Sequence, residues 1–228
     1  MAYTLYNKNT PHIRGVLFDM DGLVLDTEKL FCRFWAEAGQ FYGFHMTFGQ
    51  GMGMRALGRA QAEAKLKSYL GDEADYSAIR NKRIELMDAY IAENGVDLKP
   101  GIRELLDYLH AKGILCAITS SSPIERIRRY LSFHELDAQF DALCSGHDVP
   151  NGKPAPDIYL HGAASLGLAP EECLALEDAP SGIESAYRAG CFPVMIPDLD
   201  QPSEETLSRC YAKADSLADI IDLLDKLH

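Results

Sequence analysis

The sequence predicts an α/β fold in which a Rossmann-like parallel sheet carries helices on both faces and receives a small, all-helical cap domain as an insertion. Short apolar, β-branched runs alternate with helical periodicities after residue 98, a pattern typical of parallel sheets with right-handed crossovers. A helical block, residues 29–97, follows the first strand and interrupts this alternation. We therefore expect residues 1–28 and 98–228 to form the core domain and residues 29–97 to form the cap domain.

The first strand is predicted over residues 13–18, an apolar run that ends in carboxylates. The spacing of apolar residues then predicts helices within residues 27–94, most clearly over residues 60–69 and 79–91. Residues 48–58 contain four glycines, so we expect a loop or tight turn there.

Strands and helices alternate in the rest of the chain. The predicted strands cover residues 114–118, 140–144, 173–176 and 192–196. The predicted helices cover residues 102–112, 123–131, 157–166, 182–189 and 216–226. Ser122 is expected to cap the second of these helices, with Pro123 at its first position.

Composition excludes several classes of function. The formal net charge of −12 at pH 7 argues against a nucleic-acid partner, because phosphate backbones are bound by clustered Lys and Arg. No apolar run is long enough to cross a bilayer and residues 1–10 are polar, so we expect no membrane span and no secretion. The six cysteines are scattered without a C-x-x-C pair, which is typical of buried thiols in a reducing cytoplasm. We expect a cytoplasmic protein, by default a monomer.

Chemically active side chains follow the predicted strands, at the edge where an open α/β sheet binds its ligands. They are Asp19, Asp21, Asp26 and Thr27 after the first strand, Thr119 to Ser122 after the second, Lys153 after a loop, and Glu177 and Asp178 after the strand over residues 173–176. Solvation alone does not explain acids, hydroxyls and a lysine at one edge. We therefore expect a functional site there.

These residue types favour phosphoryl transfer. Asp19 and Asp21 would share a face in extended geometry, and with Asp178 they would form the oxygen-rich site that Mg²⁺ prefers. A carboxylate can attack phosphorus when a metal ion neutralises the phosphoryl oxygens. Lys153 could neutralise the remaining charge and Ser120 could donate a hydrogen bond. A solvated Asp-Gly turn would account for the first two acids, but it leaves the other groups unexplained.

Four segments carry a family resemblance: D-M-D-G-L-V-L-D-T at 19–27, I-T-S-S at 118–121, G-K-P-A-P-D at 152–157 and E-D-A-P-S-G-I at 177–183. In this order they resemble the motifs of the haloacid dehalogenase superfamily, over nearly the whole chain. The most similar branch contains phosphatases and β-phosphoglucomutase-like enzymes with a helical cap after the first motif. The resemblance implies an Mg²⁺-dependent enzyme that acts on a small phosphorylated metabolite through an aspartyl phosphate.

The resemblance also implies a role for each motif residue. Asp19 would be the nucleophile and a metal ligand, and Asp21 would be the general acid and base, with its backbone carbonyl on the metal. Asp at both positions separates phosphotransferases from the dehalogenases of the superfamily. Ser120, Ser121 and Lys153 would bind the phosphoryl group. Asp178 would be a metal ligand, and Glu177 would be a metal ligand or would support one. Thr27 would lie near the hinge between core and cap.

Two cations of the predicted cap are candidates for substrate selection. Arg55 lies in the glycine-rich segment 51–58, which faces the active site in this branch of the superfamily. Lys82 lies on a later helix in a run with Arg80 and Arg83, although such a run is usually a solvated face.

Three functions stay open at this point. A phosphatase would hydrolyse the Asp19 phosphate of a sugar or polyol substrate with Asp21 as base. A sugar phosphomutase would return the phosphoryl group to a second hydroxyl, but such enzymes carry a histidine early in the first cap helix, where this chain reads Glu28-Lys29-Leu30-Phe31. A non-catalytic sensor would bind a phosphorylated ligand without turnover, yet Asp19, Asp21 and Lys153 are all present. The phosphatase is favoured.

Overall fold

A seven-stranded sheet dominates the part of the chain that the computed structural model describes, residues 3–7, 10–55, 57–199 and 201–227. Its strands are β1 (Tyr3–Leu5), β2 (Gly15–Phe18), β3 (Leu115–Ser120), β4 (Ala142–Ser145), β5 (Cys173–Glu177), β6 (Phe192–Met195) and β7 (Ala212–Ala214). Their order across the sheet is β1-β7-β6-β5-β2-β3-β4, and only the β1–β7 pairing is antiparallel among these described strands. The predicted α/β class with a mainly parallel sheet is confirmed.

Ten α-helices lie in the described ranges. After residue 98, helices and strands alternate along the chain. Those of residues 26–97 are α1 (Glu28–Phe41), α2 (Phe48–Met52), α3 (Arg59–Leu70) and α4 (Tyr76–Asn94). The others are α5 (Ile102–Lys112), α6 (Ile124–Ser132), α7 (Asp157–Ser165), α8 (Pro180–Ala189), α9 (Glu204–Arg209) and α10 (Asp219–Leu227). Within the described ranges, none of them is long and apolar enough to span a membrane.

The central strands are buried on both faces. Every residue of β2 and of β5 is buried, as expected for parallel strands that helices cover on both sides. Gly15 opens β2 because the neighbouring packing leaves no room for a side chain: a Cβ there would lie 2.6 Å from Leu168 Cδ1. The parallel pairing of β2 with β3 and with β5 places the carboxyl ends of these strands side by side.

The chain divides into two compact units, one made of Met1–Leu25 with Leu98–His228 and one made of Asp26–Asp97. The predicted boundary between residues 28 and 29 falls just inside α1, because that helix begins at Glu28. The smaller unit has its own apolar cluster, which includes Trp35, Met54, Leu66 and Ile79. Its role as a cap stays a prediction.

The predicted loop over residues 48–58 is wrong in its first half, where α2 forms. Thr47 caps this helix: its side chain accepts from Gln50 N at 3.2 Å, and the Gln50 side chain accepts from Thr47 N at 2.8 Å. Gly51 serves close packing there rather than a turn, since a Cβ at this position would lie 2.4 Å from Cys32 O. The glycine at position 51 therefore lets α2 pack closely against the backbone of α1.

Strands β1 and β7 and helix α9 were not predicted. The two strands have three residues each and are only partly buried, so neither shows an apolar run in the sequence. The prediction for α6 is wrong in detail: Pro123 is the N-cap, and no side chain caps the helix. Ser122 therefore has another partner, described below.

Candidate active site

The ends of three adjacent strands position the acidic residues. Phe18 of β2 pairs with Ile118 of β3 and with Leu176 of β5, so the residues that follow these three lie at one level. Asp19 is the next residue after β2, and its backbone N–H donates to Leu176 O at 3.0 Å. Glu177 ends β5 at the same height. The parallel register alone therefore brings Asp19 and Glu177 together.

Lys153 joins the two carboxylates. Its Nζ atom donates to Asp19 Oδ1 at 2.5 Å, to Glu177 Oε1 at 2.6 Å and to Thr119 O at 3.1 Å. The side chains of Lys153, Asp19 and Glu177 are only 9%, 12% and 1% exposed. An ammonium has three protons to donate, and all three have acceptors here, which is what keeps buried charges tolerable. The lysine is held between the proposed nucleophile and Glu177.

Glu177 is further held by Tyr159, a residue that was not predicted from the sequence. The Tyr159 hydroxyl donates to Glu177 Oε1 at 2.5 Å, and the backbone N–H of Ala179 donates to Oε2 at 3.4 Å. The Glu177 carboxylate also packs directly on Gly182, where a Cβ would lie 1.8 Å from Oε1. The available signal was a tyrosine on α7 close after Lys153, in a helix otherwise rich in small and apolar residues.

Asp21 lies in the tight turn that follows Asp19. Gly22, at φ 86°, allows this turn, and its N–H donates to Leu25 O at 2.9 Å. The Asp21 carboxylate accepts a hydrogen bond from Ser122 Oγ at 3.2 Å. The prediction that Ser122 caps α6 is therefore corrected: its hydroxyl contacts the proposed general acid.

Ser122 is itself held by two neighbouring hydroxyls. Its N–H donates to Ser120 Oγ at 3.1 Å, and its carbonyl accepts from Ser145 Oγ at 2.8 Å. Ser120 and Ser145 are buried, whereas Ser121 is exposed. Of the two serines predicted to bind phosphate, Ser120 thus lies inside this hydroxyl network and Ser121 faces solvent.

Three carboxylates could hold a metal ion. Asp19, Glu177 and Asp178 each offer one oxygen, and these atoms lie within 4.8 Å of one another. Oxygen atoms of carboxylates are the ligands that Mg²⁺ prefers, so the residues present fit the ion that the resemblance implies. In the part of the chain that the structure describes, the Asp21 carboxylate does not belong to this group; the resemblance assigns its backbone carbonyl to the metal instead.

The electrostatics of the site favour an added cation. Burial raises the pKa of Asp19 to about 8, against the lowering effect of Lys153, while Glu177 and Asp21 raise it further. Burial lowers the pKa of Lys153, but Asp19 and Glu177 outweigh it and raise that pKa above its usual range. The lysine therefore stays charged, and a divalent cation beside Asp19 would favour its ionised form.

The two candidate cations of the smaller unit have partners within that unit. Arg55 Nε lies 3.7 Å from Glu28 Oε2 and donates to Met52 O at 3.2 Å. Lys82 Nζ donates to Glu85 Oε1 at 2.7 Å and lies 4.1 Å from the centre of the Phe41 ring. Thr27 precedes α1 and is buried, with no hydrogen-bond partner for Oγ1 among the described residues. The roles of these three residues stay predictions.

Comparisons with known proteins agree with the motifs. The model of the haloacid dehalogenase-like hydrolases matches residues 13–190. "Hexitol phosphatase A" of Escherichia coli is 34% identical over 191 residues, which cover 80% of this chain and 82% of that protein. "Probable pseudouridine-5'-phosphatase" of Drosophila melanogaster is 33% identical over 223 residues, 93% of this chain and 94% of that protein. The crystal structure of CbbY from Rhodobacter sphaeroides in complex with phosphate has a TM-score of 0.76 and 27% identity, covering 91% of this chain and 96% of that one.

Proposed function

Because the chain belongs to the haloacid dehalogenase-like hydrolases and its relatives are phosphatases, it is a phosphoric monoester hydrolase, and we propose that it hydrolyses a small sugar or polyol phosphate with Mg²⁺ through a phosphorylated Asp19. One observation carries this proposal. A single buried ammonium, Lys153 Nζ, bonds to Asp19 at 2.5 Å and to Glu177 at 2.6 Å, in a group of carboxylates suited to a divalent cation. Such a site places a buried cation beside the proposed nucleophile, where the oxygens of a phosphoryl group would lie.

The chain's own residues supply the two chemical steps. Asp19 attacks phosphorus, so that a bond forms between its carboxylate oxygen and phosphorus while the bond to the substrate oxygen breaks. Asp21 gives a proton to that leaving oxygen and later takes a proton from the water that attacks the aspartyl phosphate. Hydrolysis releases inorganic phosphate and restores Asp19. Mg²⁺, bound by Asp19, Glu177 and Asp178, would supply charge neutralisation at the phosphoryl oxygens.

Lys153 and Ser120 hold the phosphoryl group in this scheme. The ammonium is already aimed at Asp19, so it can contact the oxygens of a phosphoryl group that Asp19 attacks. Ser120 ends β3 beside Asp19 and carries a hydroxyl at the buried edge of the site. Ser122, bonded to Asp21 at 3.2 Å, keeps the general acid in place.

The substrate class rests on the relatives and on the smaller unit. Hexitol phosphatase A supports a polyol phosphate, and we propose that Arg55 and Lys82 contribute to the choice among substrates. All six cysteines are free and buried, which supports a reducing, cytoplasmic setting.

A substrate panel tests the proposal. The protein is incubated with Mg²⁺ or with EDTA and a series of esters: hexitol, hexose and glycerol phosphates, and pseudouridine 5'-monophosphate. Phosphate release and isomerised product are followed together. We expect Mg²⁺-dependent release of phosphate, fastest for a sugar or polyol ester. Isomerised product would identify a mutase, and tight binding of an ester without any turnover would contradict both enzymes.

A further inference from the structure

Tyr159 is a buried tyrosine whose hydroxyl serves the candidate site rather than the core. Its ring lies in the apolar cluster formed by β2, β3, β5, α7 and α8, and its side chain is fully enclosed. A buried hydroxyl needs a partner, and this one donates to Glu177 Oε1 at 2.5 Å instead of to a backbone carbonyl. The aromatic ring fits the core, while the hydroxyl contacts Glu177 of the candidate site.

The bond limits how Glu177 can move. Oε1 accepts from both Tyr159 and Lys153, at 2.5 and 2.6 Å, while Oε2 has a single long bond of 3.4 Å from Ala179 N. The carboxylate also packs on Gly182, where a Cβ would lie 1.8 Å from Oε1 and 2.3 Å from Oε2. Two strong charge-assisted bonds therefore fix Oε1, while Oε2 is held far less tightly, and the carboxylate keeps its place in the group with Asp19 and Asp178.

We propose that Tyr159 is a positioning residue that holds Glu177 in the orientation needed for both the Lys153 contact and the divalent cation. The inference rests on the proposed function, since Asp19, Glu177 and Asp178 are its metal-binding residues. Without the hydroxyl, Lys153 would be the one strong donor left to Oε1, and the carboxylate could turn toward the ammonium. Groups that orient a metal ligand in this way typically change metal affinity or activity about 10–100-fold when removed.

The test compares Tyr159→Phe with Tyr211→Phe. Tyr211 is a buried tyrosine that precedes β7 and packs on Phe192, so its variant removes a hydroxyl from the core without touching the site. Calorimetry of Mg²⁺ binding, done without any ester, should show affinity lowered about 10-fold or more in Tyr159→Phe and unchanged in Tyr211→Phe. The kcat for an ester should also fall in Tyr159→Phe and stay unchanged in Tyr211→Phe, while the KM for that ester changes less than about twofold. Equal Mg²⁺ affinity in both variants and in the unchanged protein would overturn the inference.

A double-mutant cycle with Glu177→Gln separates positioning from a general packing effect. If Tyr159 acts through Glu177, adding Tyr159→Phe to Glu177→Gln should lower Mg²⁺ affinity by far less than it does alone. Fully additive losses would contradict the inference, because they would assign Tyr159 an effect independent of Glu177. Failure of the proposed function looks different: the unchanged protein would then release no phosphate from any ester, whatever the calorimetry shows for Tyr159.

Discussion

The candidate residues of the two compact units differ in what holds them. In the larger unit, Lys153 binds Asp19 and Glu177 across 134 and 24 positions of sequence, and all three side chains are nearly buried. In the smaller unit, Lys82 binds Glu85 three positions along its own helix, and Glu85 is 67% exposed. The first set is assembled by the sheet, whereas the charge of Lys82 is paired within its own helix.

We propose that this difference separates the residues of the chemical step from those that select the substrate. Strand register fixes the relative places of Asp19, Glu177 and the β3 hydroxyls, so phosphoryl transfer depends on the fold as a whole. A local pair such as Lys82–Glu85 can change without disturbing the sheet, which suits residues that distinguish one ester from another. We therefore expect substitutions in the larger unit to change kcat and stability, and substitutions in the smaller unit to change preference.

The largest effect is expected for Lys153→Met. Removing the ammonium leaves Asp19 and Glu177 buried without their cation, so the free energy of unfolding should fall by about 3 kcal/mol. Phosphatase activity should fall at least about 100-fold. Urea unfolding measures the first effect and initial rates measure the second.

Lys112→Met is the matched control, because Lys112 forms a half-exposed pair with Asp225 at 3.5 Å. Such a surface pair contributes less than about 1 kcal/mol. Similar losses of stability in both lysine variants would show that the buried network is no stronger than a surface pair.

A smaller effect is expected for Ser122→Ala. The variant removes the hydrogen bond to Asp21 Oδ2, and a bond to a charged group contributes about 1.5–3 kcal/mol, so kcat should fall about 10–100-fold. In Ser132→Ala, which removes a hydroxyl bonded to Arg129 O on α6, kcat should stay as it was.

Arg55→Ala tests the smaller unit. For a minimal ester such as p-nitrophenyl phosphate, kcat should stay within about threefold, because the chemical step uses the larger unit. For the best sugar or polyol phosphate of the panel, kcat/KM should fall about 10-fold or more, since a positioned cation contributes about that much to binding. An equal loss for both esters would contradict a role in selection. Lys82→Ala should give the same pattern.

The smallest effect concerns the buried thiols of the larger unit. Burial raises the pKa of Cys116, Cys173 and Cys210 to about 12, against an ordinary value of 9.0. Above about pH 9 the unfolded chain therefore loses protons that the folded chain keeps, so the unfolding free energy falls as pH rises toward 12 and is unaffected below pH 8. Urea unfolding across this range should show the decline, and these thiols should resist alkylation at pH 8 until the chain unfolds. Rapid alkylation of the folded protein would contradict their burial.

The sequence predicted the sheet well because its central strands are continuous apolar runs. It failed for β1 and β7, whose three residues each are partly buried and depend on pairing with each other. It failed for α2 because glycine signals a turn in sequence, whereas here Gly51 permits a close helix contact.

The sequence predicted which motif residues lie together at one edge of the sheet. It did not predict the hydrogen bonds that hold them in place. Asp19, Lys153, Glu177 and Asp178 stand at strand ends or in a loop of the same edge, which sequence order reveals. The partners of Tyr159 and Ser122 depend on how α7 and the β3–α6 turn meet the sheet. Such contacts arise from tertiary packing, and local spacing carries no trace of them.

Trapping the intermediate tests the central claim most directly. The protein is mixed with Mg²⁺ and its best ester, quenched in acid within one turnover, and digested for mass spectrometry. We predict that the peptide containing Asp19 gains the mass of one phosphoryl group, that fragmentation places it on Asp19, and that Asp19→Asn gains none while hydrolysis stops. A phosphoryl group on another residue, or full turnover by Asp19→Asn, would contradict Asp19 as the nucleophile.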